Sequence, residues 1–236
     1  MRSTVNNLQV IYEDNHLLVV NKRAGDLVQG DQTGDTPLVE ICKSYIAKKY
    51  NKPGKVFLGV VHRLDRPTSG VVVFARTSKA LSRLNAMFQK RETQKTYWAI
   101  VEGKPTKAAD RLIHYLVRNP KQNKSYAHRS EVKDAKKAEL SYSVLKALDR
   151  YTALQVELHT GRHHQIRAQL AAIGNVIKGD LKYGAKRSNS DGSIHLHARS
   201  LCFVHPVKKE EICFEAAPNR QDPIWKLLTE FDTDRA

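Results

Sequence analysis

Residues 61–80 read VHRLDRPTSGVVVFARTSKA. A single carboxylate, Asp65, stands between Arg63 and Arg66. Pro67-Thr68-Ser69-Gly70 is a turn signal, and Thr68, Ser69 and Gly70 can hold that turn by local hydrogen bonds. The β-branched run that follows predicts a buried strand. Thr77 or Ser78 can then cap a helix on which Leu81, Leu84 and Phe88 recur at helical spacing. Upstream, VFLGVVHRL reads as a strand. Asp65 therefore sits at the end of an element, where a rigid scaffold presents functional groups. At this point two readings stand: a local partner of Arg63 or Arg66, or a carboxylate with chemistry to do.

Outward from this stretch, strands and helices alternate. LLVVNKRAG predicts a strand entering a turn at Gly25, and residues 26–36 a loop. PLVEICKSYIAKKY predicts a helix with Pro37 at its first position and Leu38, Ile41, Tyr45 and Ile46 on one side. KTYWAIVEG reads as a strand closed by Gly103. AELSYSVLKALDRYTALQVELHTG reads as two strands around a turn near Asp149. RHHQIRAQLAAIGN predicts a helix ending at Gly174-Asn175. IHLHARSLCFVHP and EEICFEAAP alternate as two final strands. The stretch 104–137 is polar and basic and is expected to be an exposed hairpin or loop. The pattern predicts a mixed sheet with packed helices.

The 236 residues hold 40 Lys and Arg against 24 Asp and Glu, a formal charge of +16. The basic residues recur along most of the chain. Such a field favours a polyanion, because neutralising phosphates releases counterions. No apolar run is long enough to span a membrane, so no membrane partner is expected. Cys42, Cys202 and Cys213 are widely separated, which predicts buried thiols in a reducing cytoplasm. There is no G-x-x-x-x-G-K-[ST], no G-x-G-x-x-G and no H-E-x-x-H. His195 and His197 lie two apart on a predicted strand, but no further ligand set accompanies them. His163-His164 reads as a helix start with polar partners.

Two more segments carry candidate chemistry. In TGRHHQIRAQL, Arg167 lies at the border of a face formed by Ile166, Leu170 and Ile173. A guanidinium buried there requires a carboxylate or several carbonyls. In KTYWAIVEG, Tyr97 by itself reads as a strand aromatic in a core.

HRLDRPTSG, KTYWAIVEG and TGRHHQIRAQL, in this order, resemble the motifs of the RluA-type RNA pseudouridine synthases. LLVVNKRAG and LHARSLCFVHP extend the resemblance over roughly residues 8–218. Lys22-Arg23-Ala24-Gly25 departs from the Lys-Pro that usually precedes the turn. The resemblance implies an α+β fold with a central mixed, largely antiparallel sheet, flanking helices and a basic active-site cleft. It implies one catalytic domain over 1–236, without the small S4-type RNA-binding domain that often precedes it in relatives. It implies isomerisation of uridine in ribosomal or transfer RNA, with no cofactor and no metal.

By resemblance, Asp65 is the catalytic carboxylate, Arg167 the basic residue paired with it, and Tyr97 the active-site tyrosine. Arg63 resembles the residue that enters the space left by a flipped base. His62, Arg66, Arg162 and His164 are the other RNA-contact candidates in the motifs. Arg118, Lys121, Lys124 and Arg129 are those of the basic segment, and Arg76, Lys79 and Arg83 are weaker ones. A monomeric cytoplasmic enzyme with no obligate protein partner is expected. A non-catalytic RNA-binding protein on the same fold has no need of Asp65, Tyr97 and Arg167 together. A glycosidase commonly needs a second catalytic carboxylate, and no acidic motif stands out.

Overall fold

The structure, a computed structural model, describes residues 2–233. In chain order its elements are β1 (Val10–Glu13), β2 (Leu17–Lys22), α1 (Leu38–Lys49), β3 (Gly59–Val60), β4 (Ser69–Ala75), α2 (Ser78–Lys90), β5 (Gln94–Glu102), β6 (Ala109–Asn119), β7 (Lys124–His128), β8 (Lys136–Ala147), β9 (Tyr151–Leu158), α3 (Gln165–Ala172), a short 3-10 turn (Leu181–Tyr183), β10 (Leu196–Val204), β11 (Glu211–Glu215) and α4 (Pro223–Thr233). This is an α+β architecture dominated by antiparallel pairing, as expected. The chain divides into two compact units, Met1–Thr93 with Ala198–Pro218, and Gln94–His197 with Asn219–Ala236.

In the first unit β2 pairs antiparallel with both β1 and β4, β3 with β4, and β11 with β10. Leu17 to Val20 and Val71 to Ala75 are essentially inaccessible on both strand faces, which explains their unbroken apolar runs. Ala80 and Leu84 of α2 pack on Leu17, Val19, Val71 and Val73. Thr77 is the cap: its Oγ1 accepts from Ala80 N at 3.2 Å. Arg91, at φ 62°, ends the helix in the left-handed region.

Several expectations change here. Of the strand predicted through VFLGVVHRL, only Gly59–Val60 pairs. The next register position would set Val61 against Val73, but the Val73 N–H donates to His62 Nε2 at 3.1 Å. A side chain thus replaces the ladder. Pro37 is the cap residue of α1 rather than its first helical residue, and the buried face is Leu38, Val39, Cys42 and Ile46. Tyr45 instead reaches outward, donating to Glu13 Oε2 at 3.1 Å. Cys42 is a buried thiol as expected, and burial pushes its pKa up. Cys202 and Cys213, in contrast, form a disulfide, because they face each other in the β10–β11 register. Their separation in sequence hid a cross-strand pair.

In the second unit the strand order is β5-β9-β8-β6-β7, every pairing antiparallel. The segment 104–137 is a hairpin built into this sheet, since β6 also pairs with β8. It buries Leu112, His114, Leu116 and Ser125 while its charged residues project outward. α3 starts at Gln165, later than predicted, because His164 takes φ 52°. It closes as predicted, with Gly174 at φ +82° and Asn175 N donating to Leu170 O at 3.0 Å. Helix α4 is an addition to the predicted elements. Its side chains Trp225 and Leu228 pack on Trp98, Ile100 and Ala153. Asp222 Oδ1 accepts from the Ile224 and Trp225 amides at its start. Asp222-Pro223 is a cap followed by a helix-opening proline, a signal that was legible.

Candidate active site

Asp65 lies half-buried in the turn between β3 and β4. The Thr68 N–H closes that turn on Asp65 O at 3.0 Å. The Thr68 hydroxyl, expected to help, is buried and has no hydrogen-bond partner among the described residues. The turn is held from beneath by Lys22, which is completely buried. Its Nζ donates to Arg23 O at 3.0 Å, Arg66 O at 3.1 Å and Thr68 O at 2.6 Å. Three carbonyls match the three hydrogens of an ammonium. Burial pushes the Lys22 pKa down to about 7, Asp26 and Asp65 pull it back up, and Arg66 lowers it further.

The neighbouring loop joins the same clasp, since Gly25 N donates to Arg66 O at 2.8 Å. Gly70 follows at φ +119°, and a Cβ there would lie 2.3 Å from Ala198 O. No other residue can pass that point of β10 so closely. Around Asp65, Arg63 is exposed, whereas Arg66 pairs with Asp35, which also binds Arg2. His62 is anchored through Val73 and stacks on Phe88 at 4.9 Å. Of the weaker basic candidates, Arg76 pairs with Glu13 and Arg83 Nη1 donates to Pro206 O at 2.7 Å.

In the second unit Tyr97 is on β5 opposite Val156 and is 9% exposed. Arg167, on α3, is more deeply buried than its helix-border position implied. The required carboxylate is Asp180. It accepts from Arg167 Nε at 2.7 Å and from Nη2 at 2.8 Å, a side-on bidentate pair. The Arg167 guanidinium carbon lies 5.1 Å from the Tyr183 ring centroid, and Lys124 Nζ lies 5.0 Å from the same ring. Tyr183 Oη accepts from Ser125 N at 2.9 Å and bonds His164 Nδ1 at 3.1 Å. His163 stacks on His164 at 3.8 Å and bridges Ser125 Oγ and Asn123 Oδ1. The histidine pair thus has the polar partners expected of it, and these fasten α3 to the β6–β7 hairpin.

On that hairpin Arg118, Lys121 and Arg129 are exposed, and Lys124 is half-buried. Arg162 turns its Nε to Lys137 O at 3.2 Å. His195 is held at Nδ1 by Asn189 Nδ2 at 2.9 Å, and its Nε2 lies 3.1 Å from Asp222 Oδ2. Lys178 donates to Asn189 Oδ1 at 2.6 Å, which turns the amide NH₂ toward His195. His197 is buried near Trp225. Among the described residues no three His, Cys, Asp or Glu side chains are grouped to hold a metal ion. Among the same residues no helix is long and apolar enough to cross a membrane.

Lys22, Asp180 and Tyr183 are site residues that the sequence did not single out. A lysine closing an apolar strand, as in LLVVNK, is the signal for the first, because an unpaired ammonium is rarely placed there. KGDLKYG, between a predicted helix and a predicted strand, offered an acid and an aromatic close in sequence to Arg167 but no periodicity to assign them.

Comparison with known proteins bears directly on these residues. Residues 16–172 match the family model described as RNA pseudouridylate synthase. The chain is 32% identical over 232 residues to ribosomal large subunit pseudouridine synthase D of Zymomonas mobilis, covering 94% of this chain and 73% of that one. It is 30% identical over 249 residues to tRNA pseudouridine synthase C of Vibrio parahaemolyticus, covering 96% of each. Human RNA pseudouridylate synthase domain containing 4 superposes with a TM-score of 0.76 at 23% identity, covering 94% of this chain and 92% of that one.

Proposed function

This chain belongs to the family of RNA pseudouridylate synthases, and from that premise we propose that it isomerises uridine in ribosomal or transfer RNA with Asp65 as its catalytic carboxylate. The observation that carries the assignment is the build of the Asp65 turn, clasped by a fully buried lysine within the stretch that matches the family. That stretch also contains Tyr97 and Arg167. The two units act in this reading as one catalytic domain with a basic cleft, where all three side chains meet.

The reaction needs no net change in composition. The C1′–N1 bond breaks, the base turns, C1′ bonds to C5, the C5 proton leaves and N1 gains one. Asp65 stabilises the positive character at C1′ by bonding to it, or takes the 2′ proton to give a glycal. Arg167 aims Asp65 and favours its ionised form. Tyr97 stacks on the base or sugar and serves as base at C5. Arg63, exposed beside the turn, fills the space of the flipped nucleotide. His62, Arg66, Arg162 and His164 border this centre, and Arg118, Lys121, Lys124 and Arg129 meet phosphates. No metal or cofactor is required, and the enzyme works as a cytoplasmic monomer.

The test is Asp65→Asn, which keeps size and removes charge. Pseudouridine formation under single turnover should fall by about 10⁴-fold or more, while RNA affinity stays within about threefold. Wild-type rates in this variant would refute the assignment. Mapping pseudouridine in total RNA from cells with and without the gene identifies the target, since relatives of both the ribosomal and the transfer RNA kind are similar to this chain.

A further inference from the structure

Arg167 is held by more than helix α3. Its side chain is 5% exposed and that of Asp180 is 1% exposed, so water contributes almost nothing to either charge. A buried guanidinium must be met by charge and by aligned acceptors, and Asp180 supplies both on one edge. The face of the guanidinium is covered by the Tyr183 ring. A planar group bound along one edge and covered on one face has lost its freedom to rotate about its own axis.

Asp180 is itself fixed by the main chain. Its N–H donates to Ile177 O at 3.0 Å, and its carbonyl accepts from Tyr183 N at 3.0 Å and Ala185 N at 3.1 Å. The preceding Gly179 takes φ +88°, and a Cβ there would meet Asn189 Nδ2 at 2.7 Å and Ser193 O at 2.8 Å. The carboxylate thus springs from a short turn that cannot slide. Tyr183, at the end of that turn, is anchored in its own right by both polar groups of the Ser125 backbone.

We propose that Asp180 is the positioning residue of this enzyme's arginine: it takes the Nε–Nη2 edge of Arg167 and so aims the Nη1 end at the reacting carboxylate. This rests on the reading above, in which Arg167 serves Asp65. Asp180 has a second consequence through charge. It shares the positive charge of Arg167, so the guanidinium orients the nucleophile without holding it in a full ion pair. Asp180 never touches RNA, and its effect passes wholly through Arg167.

Two variants separate positioning from simple stabilisation. Asp180→Asn keeps the shape and removes the charge. Asp180→Glu keeps the charge and the fold, and moves the carboxylate by the length of one methylene. A displacement of that order costs about 100-fold where geometry governs the rate. Both variants are assayed on an in vitro transcript spanning a site mapped in RNA from cells lacking the gene. Single-turnover rate at saturating RNA, RNA dissociation constant and thermal midpoint are read for each.

Positioning predicts that both variants lose about 10- to 100-fold in rate with RNA affinity within about threefold. It also predicts that Asp180→Glu keeps a midpoint near the parent's. A parent-like rate in Asp180→Glu overturns the proposal, as does a loss that appears in RNA affinity rather than in rate. If Asp180→Asn does not fold at the assay temperature, Asp180→Glu decides alone. Asp65→Asn is run beside them. If it is active, the reading of the centre has failed. If it is inactive while the Asp180 variants keep the parent rate, only the positioning role has failed.

Discussion

The clasp beneath Asp65 and the β6–β7 hairpin are both rich in positive charge, and they use it in opposite ways. At the clasp the cation points inward. Lys22 gives its three hydrogens to main-chain carbonyls of the turn that it supports. On the hairpin, Arg118, Lys121 and Arg129 face water. A net charge of +16 therefore does not describe one surface. Some of the basic residues are architecture whose partners are already chosen, and others are open to phosphate. The difference lies in desolvation: a charge without water must find its partners within the protein, whereas an exposed charge can exchange water and counterions for RNA.

Lys22→Met should break the first side of this contrast most severely. It leaves the carbonyls of Arg23, Arg66 and Thr68 without that donor, at about 1–3 kcal/mol each, partly offset because a charge is no longer buried. A net loss of about 3 kcal/mol in urea unfolding is expected. The rate should fall as well, because the turn carrying Asp65 loosens. A variant as stable as the parent would mean that the turn holds itself.

The Asp222–His195 pair tests the same rule by pH. Burial raises the Asp222 pKa, but His195 and the Trp225 and Ile224 amides outweigh it and hold the value at about 2. The folded value lies below the ordinary 3.8, so the stabilisation is present above about pH 4 and is lost as pH falls toward 2. It amounts to about 1–2 kcal/mol after allowance for partial exposure. The gap in thermal midpoint between the parent and Asp222→Asn should therefore close between pH 4 and pH 2. A gap independent of pH would show that the carboxylate charge contributes nothing.

The hairpin should show the smallest effect on folding and chemistry. Replacing Lys121, Lys124 and Arg129 together by Gln should change stability by less than about 0.5 kcal/mol. The slope of log K against log salt should become shallower by roughly 0.7–0.9 for each phosphate no longer neutralised. The single-turnover rate at saturating RNA should remain within about tenfold. An unchanged slope would return these residues to a solvated surface role. A large loss of stability would erase the contrast with the clasp.

Much of the fold was legible because its signals are local. β-branched runs marked β2 and β4, Thr77 marked the start of α2, and Gly174 closed α3. Errors arose where a distant group intervened. His62 took the Val73 amide and stopped β3 after two residues, and His164 entered the left-handed region and delayed α3. The cross-strand disulfide depended on a register that no spacing of cysteines reveals.

The sequence by itself determined the order of elements, the motifs that mark the family, and the residue types at the site. Turn, cap and period are properties of neighbours along the chain. Only the tertiary structure decided which partners the buried charges take. Lys22 reaches carbonyls 44 and 46 residues away, and Arg167 meets Asp180 across 13. A charge removed from water is tolerated only where packing brings acceptors from elsewhere in the chain, and that convergence has no local signature.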